Sequence, residues 1–372
     1  MNAVAPPSVP RYGSGALSDL TPSLLAALGV PDGQDVLGLP RSPRVCVLLI
    51  DGLGWELLRS HPEEAPYLSS LPGRPLTAGF PATTATSLAS LGTGTSPAVH
   101  GLLGYQILDP GSGRLLNCLR WNDQVDPLTF QPVPTVYERA AAAGVGVGYV
   151  ASGQYEHSGL SRAVHRGAAY LPADSLGQLV AQAERALREG DRSYVTVYHS
   201  DLDSTGHLHG AGSRAWRHQL RFVNLLAERL AEVLPPGTAL YVTADHGMVN
   251  PAVKVDVDEV GELRQGVRLL GGEPRARHVY AEPGAAEDVL AAWRAVLGDR
   301  AWVVTREEAV AAGWFGPVAD EILPRIGDVL AVPHGDVAIV ATRAEPLESG
   351  LVGMHGSMTP AEQLVPLLSP PV

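Results

Sequence analysis

Three carboxylates and three imidazoles fall in short polar motifs of this chain: Asp51, the Asp203-Ser-Thr-Gly-His207 stretch, Asp245-His246-Gly247 and His355-Gly356. Carboxylate oxygens are hard ligands and imidazole nitrogens borderline ones, so six such groups brought together would hold two divalent cations, Mn or Zn. No cysteine joins the set, which excludes a soft thiolate centre. The segment FPATTATSLASLGTG, Phe80 to Gly94, has no charged residue and sets hydroxyls just before a short apolar helix containing Leu88 and Leu91. A hydroxyl there can be an N-cap that accepts from free backbone amides. It can also be a nucleophile, held where amides and the helix dipole favour a developing anion or a phosphate, provided a metal ion makes the alkoxide accessible.

Each motif alone has an ordinary explanation. Asp51-Gly52 reads as a turn, Asp203 with His207 as a solvated loop, and Asp245 as a capping residue beside a satisfied histidine. Their joint placement changes the reading, and that placement depends on the elements around them. The run VCVLLI after Arg44 is apolar throughout, as a strand buried on both faces of a parallel sheet would be, and it ends at Asp51. Similar strands are expected at 145–150, 194–198 and 239–243, alternating with helices. One helix opens with the capping-box spacing of Thr135 and Glu138, one near Asp174, and a long one at Ser213 with Trp216, Leu220, Val223, Leu226 and Leu230 on its core face. The polar motifs then fall just past the carboxyl ends of successive strands, where open α/β sheets carry their working residues.

The remaining chain divides by texture. Residues 1–43, rich in Pro and Gly around an expected helix at 22–28, form an N-terminal segment that wraps the body. A catalytic core is expected over 44–253 and 326–372, the main sheet resuming near 328–340. Residues 254–325, with short strands at 278–281 and 302–305 flanking a helix at 285–297, read as an α+β cap insertion.

Composition narrows the function. With 27 basic and 39 acidic residues the net charge is −12, which argues against long nucleic acid and anionic membrane as partners. Lys254 is the only lysine, so arginine or metal must handle an anionic substrate. Cys46 and Cys118 allow at most one disulfide, and Cys46 reads as a buried thiol. Neither a signal peptide nor a spanning apolar run is evident, so a cytoplasmic protein, monomeric or a small homo-oligomer, is expected.

The segment from Phe80 to Gly101 resembles the nucleophile region of the type I phosphodiesterase and nucleotide pyrophosphatase family within the alkaline phosphatase superfamily. The resemblance lies at Phe80-Pro81, Thr84, Thr93-Gly94, Pro97 and His100-Gly101, and the Asp203, Asp245 and His355 motifs follow in the family's order. It implies an alkaline phosphatase-like α/β fold, a mostly parallel central sheet with helices on both faces. It also implies one metal at Asp203, His207 and His355, a second at Asp51, Thr84, Asp245 and His246, and Thr84 as a nucleophile that forms a phosphothreonine. The sequence departs from the family at Tyr105, where many members have a phosphate-binding asparagine, and at Thr83, where a lysine is usual. Tyr105 would then contact substrate or serve as a core aromatic. Sulfatases fit poorly for want of a C/S-x-P-S-R segment, and phosphoglycerate mutases use serine and lysine.

By length, composition and the expected cytoplasmic setting the chain is most similar to actinobacterial cyclic di-AMP phosphodiesterases. The implied activity is hydrolysis of a small nucleotide, preferably cyclic di-AMP through pApA to AMP, with Tyr105 and Trp121 available to stack on bases. Phosphonoacetate hydrolysis and nucleotide pyrophosphate hydrolysis are the alternatives with the same mechanism, and a non-catalytic nucleotide sensor the alternative of another class. His209, His334 and Asp201 lie outside the motif register and are not expected to be ligands.

Overall fold

The computed structural model describes residues 6–370. Its main sheet has seven strands, in the spatial order Gly73–Thr77, Leu364–Leu368, Thr238–Thr243, Arg44–Ile50, Ser193–His199, Gly146–Ala151 and Ala169–Pro172. The last five run parallel, whereas Leu364–Leu368 is antiparallel to both its neighbours. This is a mixed α/β fold with a mostly parallel central sheet flanked by helices. The four strands legible in the sequence are four adjacent strands at its centre. They lie between other strands and under helices, so most of their side chains are buried and their runs are largely apolar.

Helix starts follow local chemistry. Thr135 and Glu138 form the expected capping box of the Val136–Ala142 helix. Ser213 caps Arg214–Val233, whose Trp216, Leu220, Val223, Leu226 and Leu230 are buried. The helix expected from Asp174 begins one residue later, because Ser175 is its cap. In the N-terminal segment the helix spans Leu20–Ala27, and Leu17, Leu20 and Leu24 are fully buried. Ala16 bridges Thr77 and the Ser8 amide donates to Met358 O, tying this segment to the main sheet and to the C-terminal region. Cys46 and Cys118 are both buried and unpaired.

A second sheet of four antiparallel strands joins Val267–Glu273, Ala276–Ala281, Val329–Pro333 and Ala301–Thr305 in that order. The helix Ala286–Leu297 packs against it through Val289, Trp293 and Leu297. The main sheet does not resume at 328–340 as the apolar pattern suggested. Val329–Pro333 belongs to the small sheet, and Val337–Val340 pairs in parallel with Val253–Asp256. Both runs are fully buried, and an apolar run carries no information about which sheet buries it.

Candidate active site

Register brings the polar motifs together. Ile50 lies opposite His199 and Leu49 opposite Thr243, so three central strands end level and release their following residues side by side. Asp51 enters the turn at Gly52, whose φ is +74° and where a Cβ would approach Asp203 Oδ1 to 3.0 Å. Only glycine fits, by conformation and by space. Asp203 and His207 lie one turn apart on the Asp201–His209 helix and so share a face; this stretch is a helix and not the loop that the sequence left open. Asp245 and His246 follow the Thr238–Thr243 strand directly, and His355 follows Met354, which bridges Val249.

The six residues form two clusters suited to cations, Asp203 with His207 and His355, and Asp51 with Asp245 and His246. His207 Nε2 is 3.1 Å from Asp203 Oδ2, and His246 Nε2 is 3.4 Å from Asp51 Oδ1 and 3.3 Å from Asp245 Oδ2. In each imidazole Nδ1 meets a backbone carbonyl: His207 that of Gly353 at 2.8 Å, His246 that of Gly247 at 2.9 Å, His355 that of Ala82 at 2.9 Å. A carbonyl only accepts, so Nδ1 is the donor and Nε2 is the atom turned to the carboxylates, as a metal-binding histidine requires. Asp51 Oδ1, Asp203 Oδ1 and Asp245 Oδ2 are buried without a hydrogen-bond partner. Buried carboxylates are strongly disfavoured without compensation, and divalent cations fit this donor set.

Thr84 is the first residue of the Thr84–Thr93 helix, and its Oγ1 lies 3.2 Å from His246 Nε2. Ser87 Oγ donates to Asp245 O at 2.7 Å and locks this helix to the loop after the Thr238–Thr243 strand.

Electrostatics follows from the crowding of acids. Burial, with Asp245 and Asp203 nearby, pushes Asp51 well above the carboxylate range, although the Tyr198 hydroxyl donates to it. Burial alone would lower His207, but the adjoining Asp203 overrides it and brings the imidazole up to about 9, while His207 holds Asp203 low against its own burial. His355, buried and stacked on His246 with centroids 3.6 Å apart, is held well below the histidine range.

All seven residues singled out for metal and nucleophile chemistry thus converge. Tyr105 lines the adjoining cavity, but its hydroxyl donates to Glu348 Oε1 at 2.9 Å. Trp121 packs edge-on against Phe130 and donates to Val125 O at 2.7 Å; it does not line the cavity. His209 and Asp201 are exposed, His334 packs against Trp302, and none belongs to either cluster. Sequence reasoning missed Glu273, which enters the cavity from the small sheet; Tyr198, the partner of Asp51; and Glu348. Tyr198 sits inside an apolar strand and Glu273 at a strand end, with no local signal that marks either.

The cavity over the clusters has a volume of about 380 Å³. Its lining includes Asp51, Thr84 and Asp203, apolar side chains such as Leu88, Leu119 and Leu347 wall it, and among the described residues Arg120 is the only arginine that lines it.

Residues 45–358 match the family described as type I phosphodiesterase/nucleotide pyrophosphatase. No curated protein sequence matches the chain. Among solved structures, murine ectonucleotide pyrophosphatase/phosphodiesterase 5 is similar at 19% identity and a TM-score of 0.70, covering 88% of each chain. An inactive variant of that protein, in complex with AMP, superimposes with a TM-score of 0.69 at 18% identity, over 88% of this chain and 87% of that one. Phosphonoacetate hydrolase from Sinorhizobium meliloti 1021, in complex with phosphonoformate, is similar at 19% identity and 0.70, over 89% of this chain and 90% of that one. At such identities the likeness is one of fold. Among the described residues no helix is long and apolar enough to cross a membrane.

Proposed function

The chain belongs to the type I phosphodiesterase/nucleotide pyrophosphatase family, a family of phosphoester hydrolases, and from that membership we propose that it cleaves a small nucleotide phosphodiester with Thr84 as nucleophile. The observation that carries this reading is the set of three buried carboxylate oxygens without partners, in two clusters beside the Thr84 hydroxyl. Asp203, His207 and His355 would hold one divalent cation, and Asp51, Asp245 and His246 together with Thr84 the other. Bound there, Mn or Zn supplies Lewis-acid stabilisation of phosphoryl and leaving oxygens and lowers the pKa of the threonine hydroxyl. Thr84 Oγ1 would attack phosphorus in line, giving up its proton as the bond to the leaving alkoxide breaks and that alkoxide is protonated; water then cleaves the threonine–phosphoryl ester, releasing the nucleotide as a phosphate monoester and restoring the Thr84 hydroxyl. The helix N-terminus at Thr84 favours the phosphoryl oxygens. A non-catalytic sensor would need no such nucleophile.

The preferred substrate is cyclic di-AMP, converted through pApA to AMP in the cytoplasm. A cavity of about 380 Å³ lies within the range of sites for nucleotide-sized ligands and exceeds what a phosphonoacetate ion fills. A single arginine in the lining likewise favours a phosphodiester, with one charge per phosphate, over a small polyanion. The test is to compare kcat/KM of the Mn-loaded enzyme for cyclic di-AMP, cyclic di-GMP, ATP and phosphonoacetate. Cyclic di-AMP should lead. If ATP or phosphonoacetate turns over much faster while cyclic di-AMP survives, the substrate is another one. Absence of hydrolysis of bis(p-nitrophenyl) phosphate with any divalent metal would favour the sensor.

A further inference from the structure

The loop before the Thr84 helix and the small sheet meet at one hydrogen bond between residues 190 apart in sequence, Thr83 Oγ1 donating to Glu273 Oε2 at 2.9 Å. Thr83 is the N-cap of that ten-residue helix and has the extended backbone of one (φ −142°, ψ 151°), yet no side chain caps the helix. A threonine here ordinarily accepts from the amide of the second or third helical residue. Elsewhere in this chain the helix N-caps Thr135, Ser158, Ser175, Ser213 and Thr305 do so, each accepting from the amide three residues on, whereas Ser96, Ser200 and Thr359 do not. The Thr83 hydroxyl is instead turned to a glutamate that is only 6% exposed and whose Oε1 has no hydrogen-bond partner.

Glu273 is also tightly seated. A Cβ at Gly356, next to His355, would lie 3.0 Å from Glu273 Cγ and Cδ, and the Gly356 φ of +130° is closed to other residues. A forgone cap and a buried carboxyl oxygen without a partner are both unfavourable, and native structures keep such local conflicts chiefly at functional sites.

We propose that Glu273 is a positioning residue for the nucleophile turn: it holds the Thr83 hydroxyl off the helix N-terminus, leaving the first-turn amides free to donate to phosphoryl oxygens brought to Thr84. The proposal rests on the reading of Thr84 as nucleophile. Amides aimed at oxygens that gain charge in the transition state act on kcat. Without Glu273, the Thr83 hydroxyl rotates to accept from those amides and competes with the substrate for them.

The experiment uses the full chain with Mn and bis(p-nitrophenyl) phosphate. Glu273→Ala, and Glu273→Met, which keeps the volume, should each lower kcat at least about tenfold with KM little changed and metal content full. Glu273→Gln, whose amide oxygen still accepts from Thr83, should retain most of the rate. The distinguishing result is the double variant Thr83→Val/Glu273→Met: with no hydroxyl left to cap the helix, it should recover most of the lost kcat. A merely structural contact predicts the opposite, a double variant no better than Glu273→Met. That result overturns the proposal, as does a Gln variant as slow as the Ala one, or loss of metal from either single variant. Thr84→Ala is assayed in parallel. If it hydrolyses like wild type, the reading of Thr84 fails; if it is inactive while the double variant does not recover, only the role of Glu273 fails.

Discussion

Thr84 Oγ1 and His246 Nε2 lie 3.2 Å apart although 162 residues separate them in the chain. The histidine ring is fixed from its far side by Gly247 O, and the helix that begins at Thr84 is fixed by the bond from Ser87 to Asp245 O. Hydroxyl and imidazole are therefore held by separate anchors on the same short loop. The Thr84 hydroxyl and the Asp51, Asp245 and His246 cluster are thus held in one unit, the preorganisation that the proposed two-metal hydrolysis needs.

Thr84→Ala should leave metal binding largely intact and lower turnover at least about a thousandfold, because the cluster loses one oxygen and the reaction loses its nucleophile. Metal analysis beside steady-state rates checks this. Hydrolysis within about tenfold of wild type would mean that water attacks directly and Thr84 only opens the helix.

Asp203→Asn and His207→Ala should each lower bound metal as well as rate, and a chelator should lower the melting temperature of the wild type. Three buried carboxylates then lose the charge that compensates their burial. His209→Ala, exposed two residues from His207, should change neither metal content nor rate. Full occupancy in both Asp203 and His207 variants would remove this helix from the coordination shell.

Stability should fall on acidification through His100, His165 and His278. Burial pushes each down from 6.5 to about 3, with Arg325 adding to the effect at His100. Below pH 6.5 the unfolded chain binds protons that the native state refuses, so stability present above that pH is lost toward 3. The loss is about 1.4 kcal/mol per pH unit for each histidine. His100→Gln should flatten the decline of the urea midpoint relative to wild type; parallel curves would mean that His100 takes up its proton in the native state.

Arg275→Met should destabilise the fold by about 3–5 kcal/mol, because it leaves the Glu362 carboxylate buried without its counter-charge, held only by the Ser357 amide and the Thr359 hydroxyl. Arg275 Nε and Nη2 bond the two oxygens of Glu362 at 3.0 and 2.6 Å, and both side chains are fully buried. The pair ties the hairpin that follows Glu273 to the segment after His355. Arg275→Met/Glu362→Leu should cost less than Arg275→Met alone in urea unfolding; an equal or larger loss would show that the pair contributes as packing volume and not through its charges.

Local pattern in the chain was enough to reveal the four central strands, the caps at Thr135 and Ser213, and the six carboxylate and imidazole residues from Asp51 to His355 that converge at the sheet's end, while Thr84 was singled out among neighbouring hydroxyls by the family resemblance. The strands were legible because burial on both faces demands continuous apolar runs, and the motifs because they sit directly after those runs. Sheet membership was not legible: Val329–Pro333 is as apolar as a main-sheet strand, and only long-range pairing assigns it to the small sheet. Nor was the strand Gly73–Thr77, half exposed at the sheet edge, or its antiparallel neighbour Leu364–Leu368. The carbonyls that orient the three histidines, the Tyr198 hydroxyl on Asp51 and the Glu273 carboxyl on Thr83 were likewise decided by tertiary structure alone. Side-chain periodicity reports which face of an element is buried, whereas these contacts depend on which distant element buries it, and nothing local to either partner encodes that choice.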